Sequence, residues 1–184
     1  MTYKIRENCI FEHVDVYESE DELHAYLNKI SAPFGLMIME FNALEDEITI
    51  CLTEIYELLD KSIDIKALSK MYKGKLDRLV QLYKVLIGSN HELGEALTSL
   101  VNLLDDSGNS RNQFTHASWL YASPSKGVAC SKDKATYRKF ELSDIQNTHN
   151  TITKARAHLI HFHHRVKRAN NKFKRDSQCL APSL

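Results

Sequence analysis

The most constraining feature of this chain is a row of apolar residues with almost nothing to interrupt it. Phe34, Met37, Phe41, Leu44, Ile48, Cys51, Ile55 and Leu58 recur in steps of three and four. That spacing keeps every member on one face of an α-helix and matches a coiled-coil seam. The acids Glu40, Glu45, Glu47, Glu54 and Glu57 lie off the row. A helix from Phe34 to about Asp60 is expected, some 38 Å long at 1.5 Å per residue. Such a stripe must be covered by others like it, and the chain supplies them.

A second helix is expected from about Asp64 to Ile87, with Ile65, Leu68, Tyr72, Leu76, Leu79, Tyr83 and Leu86 on one side and Gly88 ending it. Ser89-x-x-Glu92 has the form of a capping box, in which the two side chains satisfy opposite backbone amides of the first turn. It should open a third helix through Leu93, Leu97, Leu100 and Leu104. Ser143-x-x-Gln146 repeats that form before a long helix from Asp144 to about Lys172. Its seam is Ile145, Thr148, Ile152, Ala155, Leu159, Phe162, Val166, Ala169 and Phe173. Between the third and last helices the period changes. Ser118–Ala122, Val128–Cys130 and Tyr137–Leu142 are strand-like, separated by turn residues such as Pro124 and Gly127.

The N-terminal stretch is less regular. Ile10, Phe11, Val14, Val16 and Tyr17 alternate loosely, as in an extended arm or short strand. Ser19 or Asp21 can cap a short helix to Ile30, with Pro33 as its end or as the start of the next. The expected fold is all-α: an up-and-down helical bundle with a small β-like insert before the last long helix. The divisions expected are an arm and short helix over 1–33, the bundle domain over 34–175, and a disordered tail over 176–184.

Six glycines and three prolines in 184 residues fit this helical reading. No apolar run approaches the roughly 20 residues of a membrane span, and the N-terminus lacks the apolar core of a signal peptide. Cys9, Cys51, Cys130 and Cys179 are scattered without Cys-x-x-Cys spacing. They read as reduced thiols of a cytoplasmic protein, with no zinc site, disulfide frame or cofactor implied. The formal charge is zero, yet it is divided. Residues 1–110 hold ten Lys and Arg against twenty Asp and Glu; residues 111–184 hold fourteen against four. The halves can pair within the fold or across a homodimer. The basic half can also meet nucleic acid, through Lys167, Arg168, Lys172, Lys174 and Arg175.

Chemistry concentrates where the acidic half ends. Asp105-Asp106-Ser107-Gly108-Asn109 has the composition of a helix-ending turn. Asn109 or Ser110 would then cap a new helix that Arg111 opens, and Asn112 and His116, four apart, would share one face. Arg111 could serve a phosphate beside the positive helix start. His116 could move protons near neutral pH, with Asn112 orienting its ring.

Arg111-Asn112-x-x-x-His116 resembles the signature of HEPN domains (higher eukaryotes and prokaryotes nucleotide-binding), an Arg, a polar residue, and a His after three to five more. The order of helices extends the resemblance loosely over residues 34–175. Many relatives have Gly after the histidine, where Ala117 stands here. The resemblance implies a metal-independent ribonuclease of a toxin–antitoxin or anti-phage system. It also implies a composite site made by two copies, with Arg111, Asn112 and His116 as its catalytic set. RNA would be the substrate, and a cognate antitoxin or defence-system protein a partner. The other reading is a non-catalytic helical module that binds nucleic acid or a partner protein.

His158, His161, His163 and His164 form a further cluster. No carboxylate shares their spacing, so a partly exposed polar helix face near phosphate is expected rather than zinc. No phosphate-binding Gly-rich loop or nucleophile elbow occurs, which leaves NTP hydrolysis and α/β-hydrolase chemistry without an anchor.

Overall fold

In the computed structural model, residues 2–4, 20–59, 61, 71–116, 118–120, 128–133, 136–140 and 142–179 are described, with side chains over most of 21–61, 71–116 and 142–171. They form an all-α bundle. Its helices are α1 (Glu20–Leu58), α2 (Tyr72–Ile87), α3 (His91–Thr115) and α4 (Leu142–Cys179). Strands β1 (Thr2–Lys4), β2 (Ser118–Leu120), β3 (Val128–Asp133) and β4 (Thr136–Phe140) make one antiparallel sheet in the order β1-β4-β3-β2. Cys130 pairs with Trp119 on one side and Arg138 on the other, and the β3–β4 register shifts between Ser131 and Asp133. The expected strand at Ile10–Tyr17, the start of the second helix and residues 180–184 lie outside the described residues.

The chain divides into two compact units. One comprises Met1–Asn42 and Ser107–Thr153; the other comprises Ala43–Asp106 and Lys154–Leu184. Buried in the first are Met37, Phe41, Phe114, Ile145 and Ile152. The core of the second takes Leu44, Ile48, Cys51, Leu52 and Ile55 from α1, and Leu76, Leu79, Leu82, Tyr83 and Ile87 from α2. Leu93, Leu97, Leu100 and Leu104 come from α3, and Ala155, Leu159, Phe162 and Val166 from α4. The predicted seams are therefore the buried rows over most of their length; α2 buries Ile87 more deeply than Leu86.

Three boundaries differ from expectation. Pro33 neither ends nor starts a helix but lies inside α1. An interior proline forfeits one amide bond and crowds the carbonyl four residues back. The row that begins at Phe34 is buried from Met37 to Ile55, and that burial outweighs the local defect. The cap of α3 is Asn90, not Ser89: its Oδ1 accepts the Leu93 amide at 3.0 Å. Glu92 instead accepts a bond from Arg165 at 2.7 Å. At the other long helix, α4 already begins at Leu142, so Ser143 falls within its first turn, and its C-terminal end reaches Cys179.

The turn from α2 to α3 uses Gly88 at φ 56°, a left-handed conformation that glycine adopts without strain. The hairpin is closed at its far end, where Tyr72 donates to the Leu104 carbonyl at 2.9 Å and Lys73 to Asp105 at 2.8 Å. Among the described residues no helix is long and apolar enough to cross a membrane.

Because Ile48 is wholly buried on α1, truncation to alanine should remove both its transfer energy and the packing around it. Ile48→Ala should lower the unfolding free energy by about 2–5 kcal/mol. Met39→Ala, at a side 68% exposed, should stay within about 0.5 kcal/mol. Urea unfolding of the two variants checks the expected face of α1.

Candidate functional site

The geometry around Arg111 follows from a helix that does not stop. Asp105-Asp106-Ser107-Gly108-Asn109, expected as a turn, is helical throughout, and α3 continues to Thr115. Ser107 and Gly108 are both buried there. Small side chains at a buried position permit close packing, and that burial overrides a weak local preference of about 1 kcal/mol for glycine against alanine. Arg111 therefore sits in the last turn of a helix rather than the first. The His116 amide donates to the Asn112 carbonyl at 3.2 Å, and the ordinary helical pattern ends there. A C-terminal helix end presents carbonyls and partial negative charge. The expected amide cradle for phosphate is absent from this helix end, so any anion must be held by the Arg111 side chain.

That side chain is fixed on two sides. Its guanidinium carbon lies 5.0 Å from the centroid of Phe41, a cation–π contact. Its Nη1 donates to Asn112 Oδ1 at 3.1 Å. The Asn112 amide thus steadies the arginine, where the sequence placed it against the histidine. Arg111 Nε is buried and has no hydrogen-bond partner among the described residues. A buried donor without an acceptor costs about 1–3 kcal/mol, which makes the position receptive to an oxygen ligand. His116 is exposed. Five residues separate it from Arg111, which on a helix is about 140° of rotation and about 7.5 Å of rise. Ala117 lies outside the described residues, as does the side chain of Trp119.

A second polar cluster lies in the unit that contains α2. His163, expected on an exposed face, is only 5% accessible. Its Nδ1 lies 2.9 Å from the Tyr83 hydroxyl, and its Nε2 lies 2.9 Å from Glu54 Oε2. Lys167 donates to that same oxygen. An ionised carboxylate only accepts, so Nε2 carries hydrogen; a neutral ring then receives the Tyr83 O–H at Nδ1. The Tyr83 ring meets Phe162 edge-on at 5.0 Å. Burial pushes the Cys51 thiol up to about 12, so this free cysteine is a packing group rather than a nucleophile. Burial likewise raises Tyr83. Desolvation lowers His163 below its ordinary value, against the opposing pull of Glu54. The hydrogen bond from Lys167, then that from His163, lowers Glu54. The signal for this network was in the sequence: His163 adjoins the Leu159–Phe162–Val166 row, one residue inward of the exposed side.

The other histidines of the cluster, His158, His161 and His164, are exposed. Among the described residues no three His, Cys, Asp or Glu side chains are grouped to hold a metal ion. Of the expected phosphate-binding cations, Lys167 is paired with Glu54. Arg168 is exposed, with Nε on the His164 carbonyl at 3.3 Å. The side chains of Lys172, Lys174 and Arg175 lie outside the described residues. Compared with family models, curated proteins and solved structures, the chain finds no match in any of the three.

The buried histidine generates a pH dependence with a definite sign. A folded-state value below 6.5 means that the unfolded chain takes up the proton first. Its contribution is whole above pH 6.5 and is lost as the pH falls through the folded-state value. Glu54, also lowered, adds a further loss below 4.5. Urea midpoints should fall as the pH drops below 6.5, and His163→Gln should abolish that part of the fall.

Proposed function

We propose that this chain is a metal-independent endoribonuclease of the HEPN type, acting as a toxin or an anti-phage effector. The observation that carries the reading is Arg111: a guanidinium held by Phe41 and Asn112, with a buried Nε lacking an acceptor, on the same helix end as exposed His116. RNA carries its own nucleophile. The 2′-oxygen attacks the adjacent phosphorus while the bond from phosphorus to the 5′-oxygen breaks. The protein must take one proton from the 2′-hydroxyl, give one to the 5′-oxygen, and stabilise charge on the phosphoryl oxygens.

Arg111 serves the non-bridging oxygens, where its planar fork makes charge-assisted bonds that strengthen as charge builds. His116 is the base at the 2′-hydroxyl or the acid at the leaving oxygen. With the two side chains about 140° apart around the helix, one copy does not present both on one face. A homodimer supplies the complement, and its second His116 takes the remaining proton transfer. Asn112 positions Arg111. A cognate antitoxin or defence-system protein would then control access to the composite site.

A second reading is a non-catalytic helical module that binds nucleic acid or a partner protein. The C-terminal placement of the motif favours it, because helix carbonyls repel phosphate.

Purified wild type should cut RNA in EDTA, leaving a 2′,3′-cyclic phosphate or its 3′-phosphate and a 5′-hydroxyl, and should spare DNA. Arg111→Ala and His116→Ala should each slow cleavage at least about a hundredfold, and Asn112→Ala less. Equal cleavage by all variants at matched dimer content, or activity that chelator abolishes, would move the protein to the second reading.

A further inference from the structure

The buried row of α4 in the second unit, Ala155, Leu159, Phe162 and Val166, has a shadow. The residue before each of the first three is Lys154, His158 or His161, and before Val166 comes Arg165; Arg168 continues the row. Steps of four, three, four and three place all five on one flank of the helix, about 100° around from the core. Lys154, His158, His161 and Arg168 are exposed, and Arg165 is partly so. A basic or imidazole head therefore recurs about every 5 Å along this flank. No acidic residue occurs between Asp144 and Asp176.

The flank is recessed at its middle. His158, His161 and Arg165 face Ser99 of α3 across an open hollow of about 260 Å³, with Leu100 and Phe162 also lining it. Three nitrogen-bearing side chains around one hollow offer donors from several directions, as a tetrahedral phosphate needs; the Ser99 hydroxyl donates to the Glu95 carbonyl at 3.2 Å. Leu100 and Phe162 are nearly buried, so they give the hollow a firm base. One carboxylate is set against the row: Glu92 holds Arg165 at 2.7 Å, and it is itself largely exposed.

We infer that this flank of α4 is a track for the phosphate backbone of single-stranded RNA, with one phosphate seated in the hollow between His158, His161, Arg165 and Ser99. The assignment rests on RNA being the ligand of this protein. It shares only Arg168 with the cations read off the sequence, and Lys167 is engaged by Glu54 on the other flank. A repeating row suits a polymer of repeating charge better than a single acidic side chain. The bond between Arg165 and Glu92 is a competitor that RNA must displace.

The test is fluorescence anisotropy with a labelled 2′-O-methyl oligouridine, which lacks the 2′-hydroxyl nucleophile and so separates binding from cleavage. The triple variant Lys154→Gln, Arg165→Gln, Arg168→Gln should bind at least about tenfold more weakly. Its logarithmic salt slope should be shallower by about 2, at about 0.7 per phosphate contact on a single strand. His158→Gln with His161→Gln should weaken binding severalfold. Glu92→Gln should tighten it, an effect that a merely structural ion pair would not produce. Lys84→Gln, an exposed cation on α2 away from the row, should leave it unchanged. Absence of binding by wild type, or equal binding by the triple variant with unchanged helical circular dichroism, would overturn the track. Displacement by polyglutamate as effective as by RNA at equal charge would reassign the flank to an acidic protein. A wild type that cleaves RNA while the triple variant binds normally removes the track and leaves the ribonuclease reading. Row-dependent binding without cleavage does the reverse.

Discussion

Burial of four apolar rows is the constraint on which every other feature depends. Ile48, Cys51, Leu52 and Ile55 on α1 have no accessible surface, nor have Leu76 and Tyr83 on α2 or Ile152, Ala155 and Leu159 on α4. Each buried aliphatic side chain contributes about 1.5–3 kcal/mol relative to exposure. Local defects of about 1–3 kcal/mol are therefore absorbed: a proline at 33, a glycine at 108, a run of turn-forming residues from 105 to 109. The helices persist because their faces are covered, not because each residue favours a helix.

Polar groups drawn into such a core must find partners or the core would be weaker for them. His163, Tyr83, Glu54 and Lys167 solve this as one directional chain when the imidazole is neutral: Tyr83 donates to His163, and His163 and Lys167 donate to Glu54. The price of that arrangement is sensitivity to acid, since a proton on Nδ1 reverses the bond to Tyr83. The same packing that hides His163 leaves His158 and His161 exposed.

Arg111 presents the opposite situation. Its guanidinium is held over Phe41 and by Asn112, yet Nε is left buried without an acceptor among the described residues. A satisfied structural arginine would bond in full. The incomplete set lies on a helix end of unfavourable polarity for anions, about 140° around the helix from the exposed His116.

Much of the fold was legible because helical periodicity is a local property. The rows from Phe34, Ile65, Leu93 and Ile145 specify which faces are buried over their described parts, and the strand-like stretches at 118–122, 128–130 and 137–142 mark, within a few residues, the strands at 118–120, 128–133 and 136–140. The motif residues and the division of charge can likewise be read directly. Boundaries could not, since a helix end depends on what covers it. Neither Ser89 nor Ser143 became a cap, and the turn at 105–109 became helix, because Asn90, an earlier start at Leu142 and the burial of Ser107 prevailed. By itself, then, the sequence determined the all-α bundle, its buried faces and the presence of Arg111 and His116. Only tertiary structure decided that the motif closes a helix rather than opening one, that Asn112 serves the arginine, and that His163 is buried with Glu54. These outcomes depend on residues such as Phe41, Tyr83 and Glu54, distant in sequence, whose burial and hydrogen bonding outweigh any local preference.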